Sequence, residues 1–309
     1  MADPVISVRR LRKSYGELEA VRGIDLEVAG RQIFAFLGPN GAGKTTTVEI
    51  LEGYRDRSAG EVTVLGVDPA TAGREWRQRI GVVLQDSRMH AELTVRESLE
   101  LFAGYYRSPR GIEETAALVG LSDRADQRVG RLSGGQQRRL DVALALIGDP
   151  ELLFLDEPTT GFDPSARRRA WEMLSGLRDL GKTVFLTTHY MEEAQELADR
   201  VAIIVGGEIV AEGSPGDLSR REGEASRISF RLPDGIAPRE LPAGLVAEPD
   251  GRPGEVHLRV DDPVRALNEL TAWALERRIP LAGLEVRQPN LEDVYLELTD
   301  VDAVTGGRR

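Results

Sequence analysis

The most informative absence in this chain of 309 residues is that of cysteine. Without a thiol, the protein has neither disulfide bonds nor thiolate-bound metal. Histidine is almost as scarce, because only His90, His189 and His257 occur, and they lie far apart in the sequence. Three isolated histidines form no metal-binding motif.

Long apolar runs are also missing. No stretch approaches the roughly 20 apolar residues that are needed to cross a bilayer. The N-terminal residues Met1 to Pro4 lack the apolar core of a secretory signal. We therefore expect a soluble, cytoplasmic protein, and we expect any role at a membrane to depend on a partner.

Lysine is the third scarce residue. Arginine supplies nearly all the positive charge, since the only lysines are Lys13, Lys44 and Lys182. Acidic residues outnumber basic ones, and the net charge of −11 argues against duplex nucleic acid as a partner. The length of the chain predicts two domains.

Residues 38–46 form a phosphate-binding motif. Its members are Gly38, Pro39, Asn40, Gly41, Ala42, Gly43, Lys44, Thr45 and Thr46. An apolar run precedes the motif and a helical pattern follows it, which is the strand–loop–helix context of a P-loop. Glycines let successive N–H groups turn toward phosphate oxygens, and the helix start adds partial positive charge. The motif predicts that Lys44 reaches the β- and γ-phosphates and that the Thr45 hydroxyl binds Mg²⁺.

The alternative interpretation of this motif is an ordinary glycine-rich turn between a strand and a helix. A random chain seldom produces the pattern directly behind a buried strand. The presence of Lys44 also favours phosphate binding. A compact ammonium suits this site better than the planar guanidinium that the chain uses elsewhere.

Short, mostly apolar runs alternate with helical segments in the rest of the first two thirds of the chain. The runs are Ile80 to Leu84, Leu152 to Leu155, Val184 to Thr188 and Val201 to Val205. This pattern predicts a parallel sheet with helices on both faces and ligands at the carboxyl ends of its strands. Since Lys44, Asp156, Glu157 and His189 all follow strand ends, we expect one site to collect them.

The helical segments between the P-loop and the Leu152 to Leu155 run form a block. We predict that this block is an inserted helical subdomain at about residues 88–148. A break in composition near residues 214–224 predicts the end of a first domain, 1–220.

The remaining residues predict a small α+β domain at 226–300. They contain two alternating strand patterns, an amphipathic helix and a last helix capped by Asn290. Its role is left open: it could regulate the first domain, stabilise a dimer or only pack against the rest. We expect residues 301–309 to form a frayed tail.

A second glycine-rich segment opens one of the predicted helices. It consists of Ser133, Gly134, Gly135 and Gln136. Backbone donors at such a helix start can bind a phosphate. Alternatively, Ser133 caps the helix and Gln136 completes a capping box. The segment alone does not distinguish these two interpretations.

The order of the motifs does distinguish them. After the P-loop the chain contains Gln85, the Leu-Ser-Gly-Gly-Gln segment at 132–136, Leu-Phe-Leu-Asp-Glu-Pro at 153–158, Gly161-Phe162-Asp163 and Thr188-His189. This series closely resembles the ATP-binding cassette (ABC) family over residues 4 to about 217. Residues 290–299 resemble the terminal motif of the drug- and antibiotic-exporter branch, whose ATPase subunits pair with separate permeases.

The resemblance implies an α/β fold, a P-loop NTPase cassette with a mostly parallel sheet, an antiparallel β subdomain and an inserted helical subdomain, followed by the small C-terminal α+β domain. It further implies a head-to-tail dimer with ATP between the two copies. One chain would stack Tyr15 on the adenine and place Lys44 and the P-loop amides on the phosphates. The other would bring the segment from Ser133 to Gln136 to the γ-phosphate.

The resemblance also implies a metal site for Mg²⁺. Thr45 and Asp156 would hold the ion, and Gln85 would touch the metal or the attacking water. Gln85 rests on the least evidence, because a single glutamine is a weak signal.

The remaining roles implied by the resemblance concern hydrolysis. Glu157 would activate the water as general base, His189 would orient it and Asp163 would couple the two sites. Outside the family context, Glu157 could belong to an ordinary acidic helix start and His189 to a surface loop. Phe162 departs from the smaller aliphatic residue that is usual in the family, which predicts different packing at the dimer interface and no loss of activity.

These implications lead to one functional prediction. The chain would be the ATP-binding and ATP-hydrolysing subunit of an exporter, peripheral at the cytoplasmic face of the membrane. Its partners would be a second copy of itself and a separate permease that contacts residues 89–97 and the helix after them, with no nucleic acid. The alternatives are a soluble cassette ATPase that acts on ribosomes or DNA, and a P-loop kinase or GTPase.

Overall fold

The computed structural model describes residues 3–84, 90–219, 226–233, 235–248, 254–287, 291–296 and 298. The chain divides into two compact units. The first comprises Met1–Pro215 with Leu298–Arg309, and the second comprises Gly216–Glu297. Within the described residues, no helix has the length and apolar character that a bilayer crossing requires.

The first unit combines two sheets with helices. Its strands are β1 (Ile6–Tyr15), β2 (Leu18–Val28), β3 (Ile33–Leu37), β4 (Ala59–Val64), β5 (Ile80–Val83), β6 (Leu152–Asp156), β7 (Thr183–Thr188), β8 (Arg200–Val205) and β9 (Glu208–Gly213). Its helices are α1 (Lys44–Leu51), α2 (Arg74–Arg77), α3 (Val95–Ala103), α4 (Ile112–Leu118), α5 (Gly134–Leu146), α6 (Pro164–Asp179) and α7 (Met191–Leu197). Short 3₁₀ helices cover Pro69–Thr71, Ser122–Arg124 and Val129–Arg131.

The larger sheet has the order β5-β6-β7-β3-β8-β9 and is parallel except for its last pair. All five residues of β3 are buried, as expected for a central strand covered on both faces. β9 has no counterpart among the strands that the apolar runs predict. A hairpin through Gly206 and Gly207, both with positive φ, adds β9 antiparallel to β8 at the edge of the sheet.

The strand order brings together the carboxyl ends of the strands that the candidate site residues follow. Since β7 lies between β6 and β3, the carboxyl ends of the three strands are neighbours. In the register, Asp156 lies opposite Thr187, and Leu37 lies opposite Thr188. The residues that follow these strand ends therefore meet at one edge of the sheet.

The smaller sheet is antiparallel, with the order β2-β1-β4. Its buried side chains join those of the larger sheet in one core, in which Ile6, Leu11 and Val64 pack with Phe36 and Phe154. Tyr15 is the last residue of β1. Tyr15 therefore lies on a strand and not on a loop, because pairing with Leu18 extends the hairpin to its tip.

The helices α3, α4 and α5 form the block between β5 and β6. Thr94 opens α3 with a complete capping box through Glu97. The buried side chains Leu99, Ala116 and Leu140 come from the three helices. The start of α5 therefore belongs to this helical block, which the chain forms between β5 and β6.

The second unit is a small α+β structure. It contains α8 (Pro215–Leu218, which begins at the boundary), β10 (Ser226–Arg231), a 3₁₀ helix at Pro238–Glu240, β11 (Glu255–Val260), α9 (Pro263–Arg277) and β12 (Ala282–Arg287). The strand order is β11-β10-β12, and both pairs are antiparallel. Residues 291–296 are helical, whereas the predicted cap Asn290 and the tail 301–309 lie outside the described residues.

Candidate active site

The P-loop connects β3 to α1 and packs against the backbone of two other strands. Gly43 has a φ of +104°, and a Cβ there would lie 2.5 Å from the carbonyl oxygen of Ala20 in β2. A Cβ at Gly38 would lie 2.3 Å from the carbonyl oxygen of Ile204 in β8. Both positions therefore require glycine for the loop to lie this close to its neighbours.

The start of α1 is open to a ligand. Gly43 is the N-cap residue, and in the described chain no side chain caps the helix there. The first N–H groups of a helix have no acceptor within the helix itself. Together with the helix dipole, these donors fit a phosphate group.

Lys44 is 8% exposed, and its ammonium points back into the loop. Nζ donates hydrogen bonds to the carbonyl oxygens of Gly38 at 2.6 Å and Pro39 at 3.2 Å. Burial lowers the pKa of Lys44, and the nearby carboxylates of Glu157 and Asp156 oppose that shift. The lysine therefore shares one electrostatic environment with the two acidic residues.

The close approach of Gly43 to β2 allows a first prediction. The change Gly43→Ala places a methyl group against a backbone oxygen at a left-handed position, so it should destabilise the protein by about 2–3 kcal/mol. We also expect it to abolish binding of a fluorescent ATP analogue, because the loop must shift. Thermal unfolding and a nucleotide titration measure the two effects.

Gly41 provides the matched control. Its φ is +81°, but a Cβ there would meet nothing within 4 Å. Gly41→Ala should therefore cost only the left-handed backbone conformation, about 1–2 kcal/mol. Equal nucleotide binding by the two variants would show that the packing on Ala20 does not hold the loop.

The end of β6 presents the acidic pair. The Thr187 hydroxyl of β7 donates to Oδ1 of Asp156 and accepts the N–H of Glu157 at 3.2 Å. The Glu157 N–H also donates to the carbonyl oxygen of Thr187 at 3.1 Å. Glu157 has a φ of +46°, a left-handed conformation that costs a residue with a Cβ about 1–2 kcal/mol. Specific contacts thus hold this turn in a disfavoured conformation.

The carboxylate of Glu157 is bound at both oxygens. Oε2 accepts the hydroxyl of Thr160 at 3.0 Å, and Oε1 lies 3.0 Å from Nδ1 of His189. The Glu157 side chain is 12% exposed and that of His189 is 41% exposed. A solvent-accessible imidazole therefore contacts a largely buried carboxylate, which is a suitable arrangement for holding and activating a water molecule.

The segment from Ser133 to Gln136 forms the capping box of α5. Oγ of Ser133 accepts the N–H of Gln136 at 3.3 Å, and Oε1 of Gln136 accepts the N–H of Ser133 at 2.9 Å. The capping interpretation of these two side chains is therefore confirmed. The geometry leaves a role in phosphate binding as a prediction.

The same segment lines a cleft of about 600 Å³ together with Glu157 and the residues after it. Phe162 lies beside Gly135, and Oδ1 of Asp163 accepts the N–H of Ala166 at 2.8 Å as the cap of α6. Among the described residues that line this cleft, none belongs to the P-loop. Within one chain, the structure thus brings Lys44 to the acidic pair, while the capping-box segment lines a cleft that includes Glu157 and no described P-loop residue.

The remaining predicted residues occupy the surroundings of the P-loop or lie outside the described residues. Tyr15 is 39% exposed, with the Lys13 ammonium 5.1 Å and the Arg55 guanidinium 5.4 Å from its ring centre. Thr45 is exposed at the start of α1. Gln85 lies in the gap after residue 84.

Comparison with known proteins identifies the family. A family model described as ABC transporter matches residues 21–160, and one described as ABC transporter domain-containing protein-like, C-terminal domain, matches residues 226–290. The Nod factor export ATP-binding protein I of Rhizobium meliloti (strain 1021) is 42% identical, over 95% of this chain and 88% of that protein. The chain belongs to the ABC transporter family. It is an ATP-binding subunit and an ATPase.

Further relatives agree with this assignment. The daunorubicin resistance ATP-binding protein DrrA3 of Streptomyces coeruleorubidus is 38% identical over 98% of each chain. A dimeric ATP-binding cassette in a post-hydrolysis state with ADP and Pi matches with a TM-score of 0.61 and 26% identity, over 68% of this chain and 98% of that one. An ADP-bound cassette of an ABC transporter matches with a TM-score of 0.63 and 24% identity, over 70% and 93%. The predicted fold class and the family are confirmed, and the kinase and GTPase alternative is excluded.

A buried acid that the sequence does not predict, Glu193, lies beside the site of this ABC ATPase. Glu193 of α7 accepts hydrogen bonds from the Thr159 hydroxyl at 2.7 Å and from Nε1 of Trp171 at 3.1 Å. Burial raises its pKa, and the hydrogen bonds oppose the shift. Glu193 thus ties the helix after His189 to the segment after Glu157. In the sequence, Glu193 lies at a helix position that could equally be exposed to solvent. No local pattern therefore indicated this contact.

The residues present fit Mg²⁺ as part of an ATP complex. Within the described residues, no group of three or more histidine or acidic side chains is arranged to hold a metal by itself. Mg²⁺ in nucleotide sites usually takes one or two protein oxygens and completes its shell with phosphate oxygens and water. The exposed hydroxyl of Thr45 and the carboxylate of Asp156 at the end of β6 match that requirement.

Proposed function

We propose that this ABC ATPase energises export through a separate membrane permease as a head-to-tail dimer. The observation behind the proposal is the separation of two phosphate-binding elements in one chain. Lys44 shares its environment with Asp156 and Glu157, whereas the segment from Ser133 to Gln136 lines a cleft with Glu157 that contains no described P-loop residue. A two-fold dimer in which each chain supplies one element to each site completes both sites at once.

Each residue of the composite site then has a role. Tyr15 faces the adenine, and the P-loop residues Gly38 to Thr46 bind the phosphates. Asp163, near the segment of its own chain that reaches the partner's nucleotide, couples the two sites. ABC-type hydrolysis depends on positioning and charge neutralisation more than on covalent chemistry.

Metal and water complete the proposed site. Thr45, Asp156 and Gln85 would hold Mg²⁺, which neutralises charge on the phosphates when it is bound. Glu157 accepts the proton of the attacking water, and His189, 3.0 Å from its carboxylate, keeps that water in line.

The dimer has independent support from a relative in structure. The 26% identical cassette with ADP and Pi is described as dimeric and in a post-hydrolysis state. The bulky Phe162 lies beside Gly135 in this chain, so the packing of the proposed interface includes an aromatic ring near the γ-phosphate segment.

The proposed contact with the permease lies at the start of the helical block. Tyr54 and Phe102 line a cavity of about 400 Å³ beside β5. Leu101 lies in α3, and Tyr105 follows this helix with its ring centre 5.9 Å from that of Phe102. Tyr54, Leu101 and Tyr105 are 74%, 43% and 60% exposed. Apolar patches of this kind mark protein interfaces. The predicted contact residues 90–97 precede and begin α3, and Met89 lies outside the described residues.

Export, localisation and domain roles follow from the same proposal. The relatives named above are export and resistance ATP-binding proteins, so we infer export as the direction of transport and the cytoplasmic face of the membrane as the location. We further propose the domain division into a cassette at 1–220, with the helical subdomain at 88–148, and an accessory domain at 226–300.

A complementation experiment tests the composite site. The change Lys44→Ala inactivates the P-loop, and Gly135→Asp places a negative charge in the proposed γ-phosphate segment. Each variant alone should hydrolyse no ATP, whereas a mixture forms heterodimers with one intact site. If chains exchange freely, half of the dimers are heterodimers with one of two sites intact, so activity should recover to about a quarter of the wild-type value.

The structure makes Gly135→Asp a sound variant. A Cβ at Gly135 would meet only Phe162 at 3.9 Å and Ala166 at 4.0 Å, and an acidic residue suits the first turn of a helix. Gly135→Ala serves as the control and should keep most of its activity. A mixture that stays inactive, with both variants folded, would refute the head-to-tail arrangement.

A further inference from the structure

Arg138 extends from α5 to the carboxyl ends of two strands of the larger sheet. Its Nε donates to the carbonyl oxygen of Pro158 at 3.2 Å, and Nη2 donates to that of Glu157 at 3.2 Å. The same guanidinium donates to the carbonyl oxygens of Leu84 and Asp156. The side chain is only 12% exposed. One guanidinium thus gathers four backbone acceptors beside the catalytic acid.

These acceptors surround the turn that aims Glu157. The Glu157 residue has the disfavoured φ of +46°, and Thr187 holds its N–H from the β7 side. Arg138 holds the carbonyl groups on both sides of that residue from the α5 side. Because the guanidinium is planar with five donors, it can satisfy several carbonyls at once, which a lysine cannot do.

The helix that presents Arg138 is the one that begins with the proposed γ-phosphate segment. Arg138 lies two residues after Gln136, so it is about 3 Å further along the helix axis. Leu84, another of its acceptors, directly precedes Gln85. The guanidinium therefore links the first part of α5 to the carboxyl ends of β5 and β6.

We propose that Arg138 is a positioning residue that holds the Glu157 turn of its own chain in the orientation needed for hydrolysis. This inference rests on the proposed function, in which Glu157 is the general base. It assigns to Arg138 an effect on the rate of the chemical step and none on nucleotide affinity, since Lys44 and the P-loop amides lie elsewhere. A displacement of a catalytic group by about 1 Å from its productive position is sufficient to slow an enzyme strongly.

Steady-state kinetics of Arg138→Gln form the first arm of the test. We expect kcat to fall by about 10-fold or more, with the KM for ATP changed by less than about two-fold. Arg138→Lys should recover little of the lost rate, because an ammonium cannot span the four carbonyls. Unchanged kcat in Arg138→Gln, or full activity in Arg138→Lys, would overturn the proposal.

Arg79 provides the matched control at the other end of β6. It donates to the carbonyl oxygen of Leu65 at 3.0 Å and pairs with Glu151, which directly precedes the strand. Arg79→Gln thus removes a comparable set of contacts far from the acidic pair. We expect its kcat to stay within about two-fold of wild type, and an equal loss of rate in both variants would mean that Arg138 acts only through general stability.

Heterodimers form the second arm and separate the two roles of α5. In the mixture of Gly135→Asp and Lys44→Ala chains, the working Glu157 belongs to the Gly135→Asp chain and the working γ-phosphate segment to the other. Adding Arg138→Gln to the Gly135→Asp chain should remove the recovered activity, and adding it to the Lys44→Ala chain should preserve it.

The two placements also separate failure of this inference from failure of the proposed function. The positioning role would be overturned, and Arg138 assigned to the γ-phosphate segment, by either of two results. Activity could be lost only when Arg138→Gln is placed in the Lys44→Ala chain, or it could be lost equally with either placement. Absence of recovery before Arg138 is changed would refute the composite site. The kinetic arm then decides the role of Arg138 without reference to a dimer.

Discussion

Replacing Glu157 by glutamine should reduce steady-state ATP hydrolysis by at least about 10²-fold, the usual contribution of a general base. Glutamine keeps the shape of the side chain and its hydrogen bond with Thr160, but it cannot accept the proton of the attacking water. Nucleotide should remain bound between two chains, because binding depends on the P-loop and the metal. Size-exclusion chromatography in ATP and Mg²⁺ should therefore show a stable dimer of Glu157→Gln.

Glu151 is the control for this substitution. It lies at the opposite end of β6, its side chain is 57% exposed and it pairs with Arg79 at 2.6 Å. Such an exposed pair contributes about 0–1 kcal/mol, so Glu151→Gln should hydrolyse ATP as the wild type does. If Glu157→Gln turned over ATP normally as a monomer, both the assignment of the base and the nucleotide-sandwich dimer would be wrong.

Replacing Glu52 by glutamine should stabilise the protein at alkaline pH. Glu52 directly follows α1 and is 5% exposed. Burial, and then the charges of Asp156 and Glu49, raise its pKa from 4.5 to about 8. The unfolded chain loses this proton near pH 4.5 and the folded chain only near pH 8. The free energy of unfolding therefore falls as pH rises through this window.

The size of this effect follows from the shift in pKa. At about 1.4 kcal/mol for each unit, the rise in pKa from 4.5 to about 8 costs the folded protein at pH 9 about 5 kcal/mol, which glutamine avoids. Urea unfolding of wild type and Glu52→Gln should therefore agree near pH 5 and differ by several kcal/mol at pH 9, with the variant more stable.

Glu49 supplies the control on the same helix. It pairs with Arg55 at 2.5 Å, and its side chain is 32% exposed. Glu49→Gln should change stability by less than about 1 kcal/mol at pH 5, because partly exposed ion pairs contribute little. At pH 9 it should give only a small part of the gain from Glu52→Gln, because the charge of Glu49 is the smallest of the three causes that raise the pKa of Glu52. If the difference between wild type and Glu52→Gln were the same at pH 5 and pH 9, Glu52 would ionise in the folded protein as it does in solvent.

The candidate residues that were best predicted belong to local sequence patterns, at positions where the backbone conformation restricts the choice of residue. The P-loop follows a buried strand and contains glycine at positions where a Cβ would strike Ala20 or Ile204. Asp156 and His189 follow apolar runs that become neighbouring parallel strands, so the edge of the sheet collects them. The capping box at Ser133 and Gln136 was equally local, and the structure contains it.

Residues whose importance depends on distant partners gave no such signal. Arg138 is one arginine among many in the sequence, and only the packing of α5 against the exits of β5 and β6 brings four carbonyl groups to it. Glu193 occupies a helix position like that of exposed Glu192, yet it is fully buried. β9 was missed because an edge strand with polar ends lacks the continuous apolar run of the central strands.

The sequence by itself determined the alternation of the central parallel strands with helices, the glycines of the P-loop and the family to which the chain belongs, because these depend on residues adjacent along the chain. Only the tertiary structure decided the burial of Glu52 and Glu193, the left-handed turn at Glu157 and the four acceptors of Arg138. Each of these depends on groups from separate elements that meet only when the sheet and the helical block have packed, and no local pattern encodes such meetings.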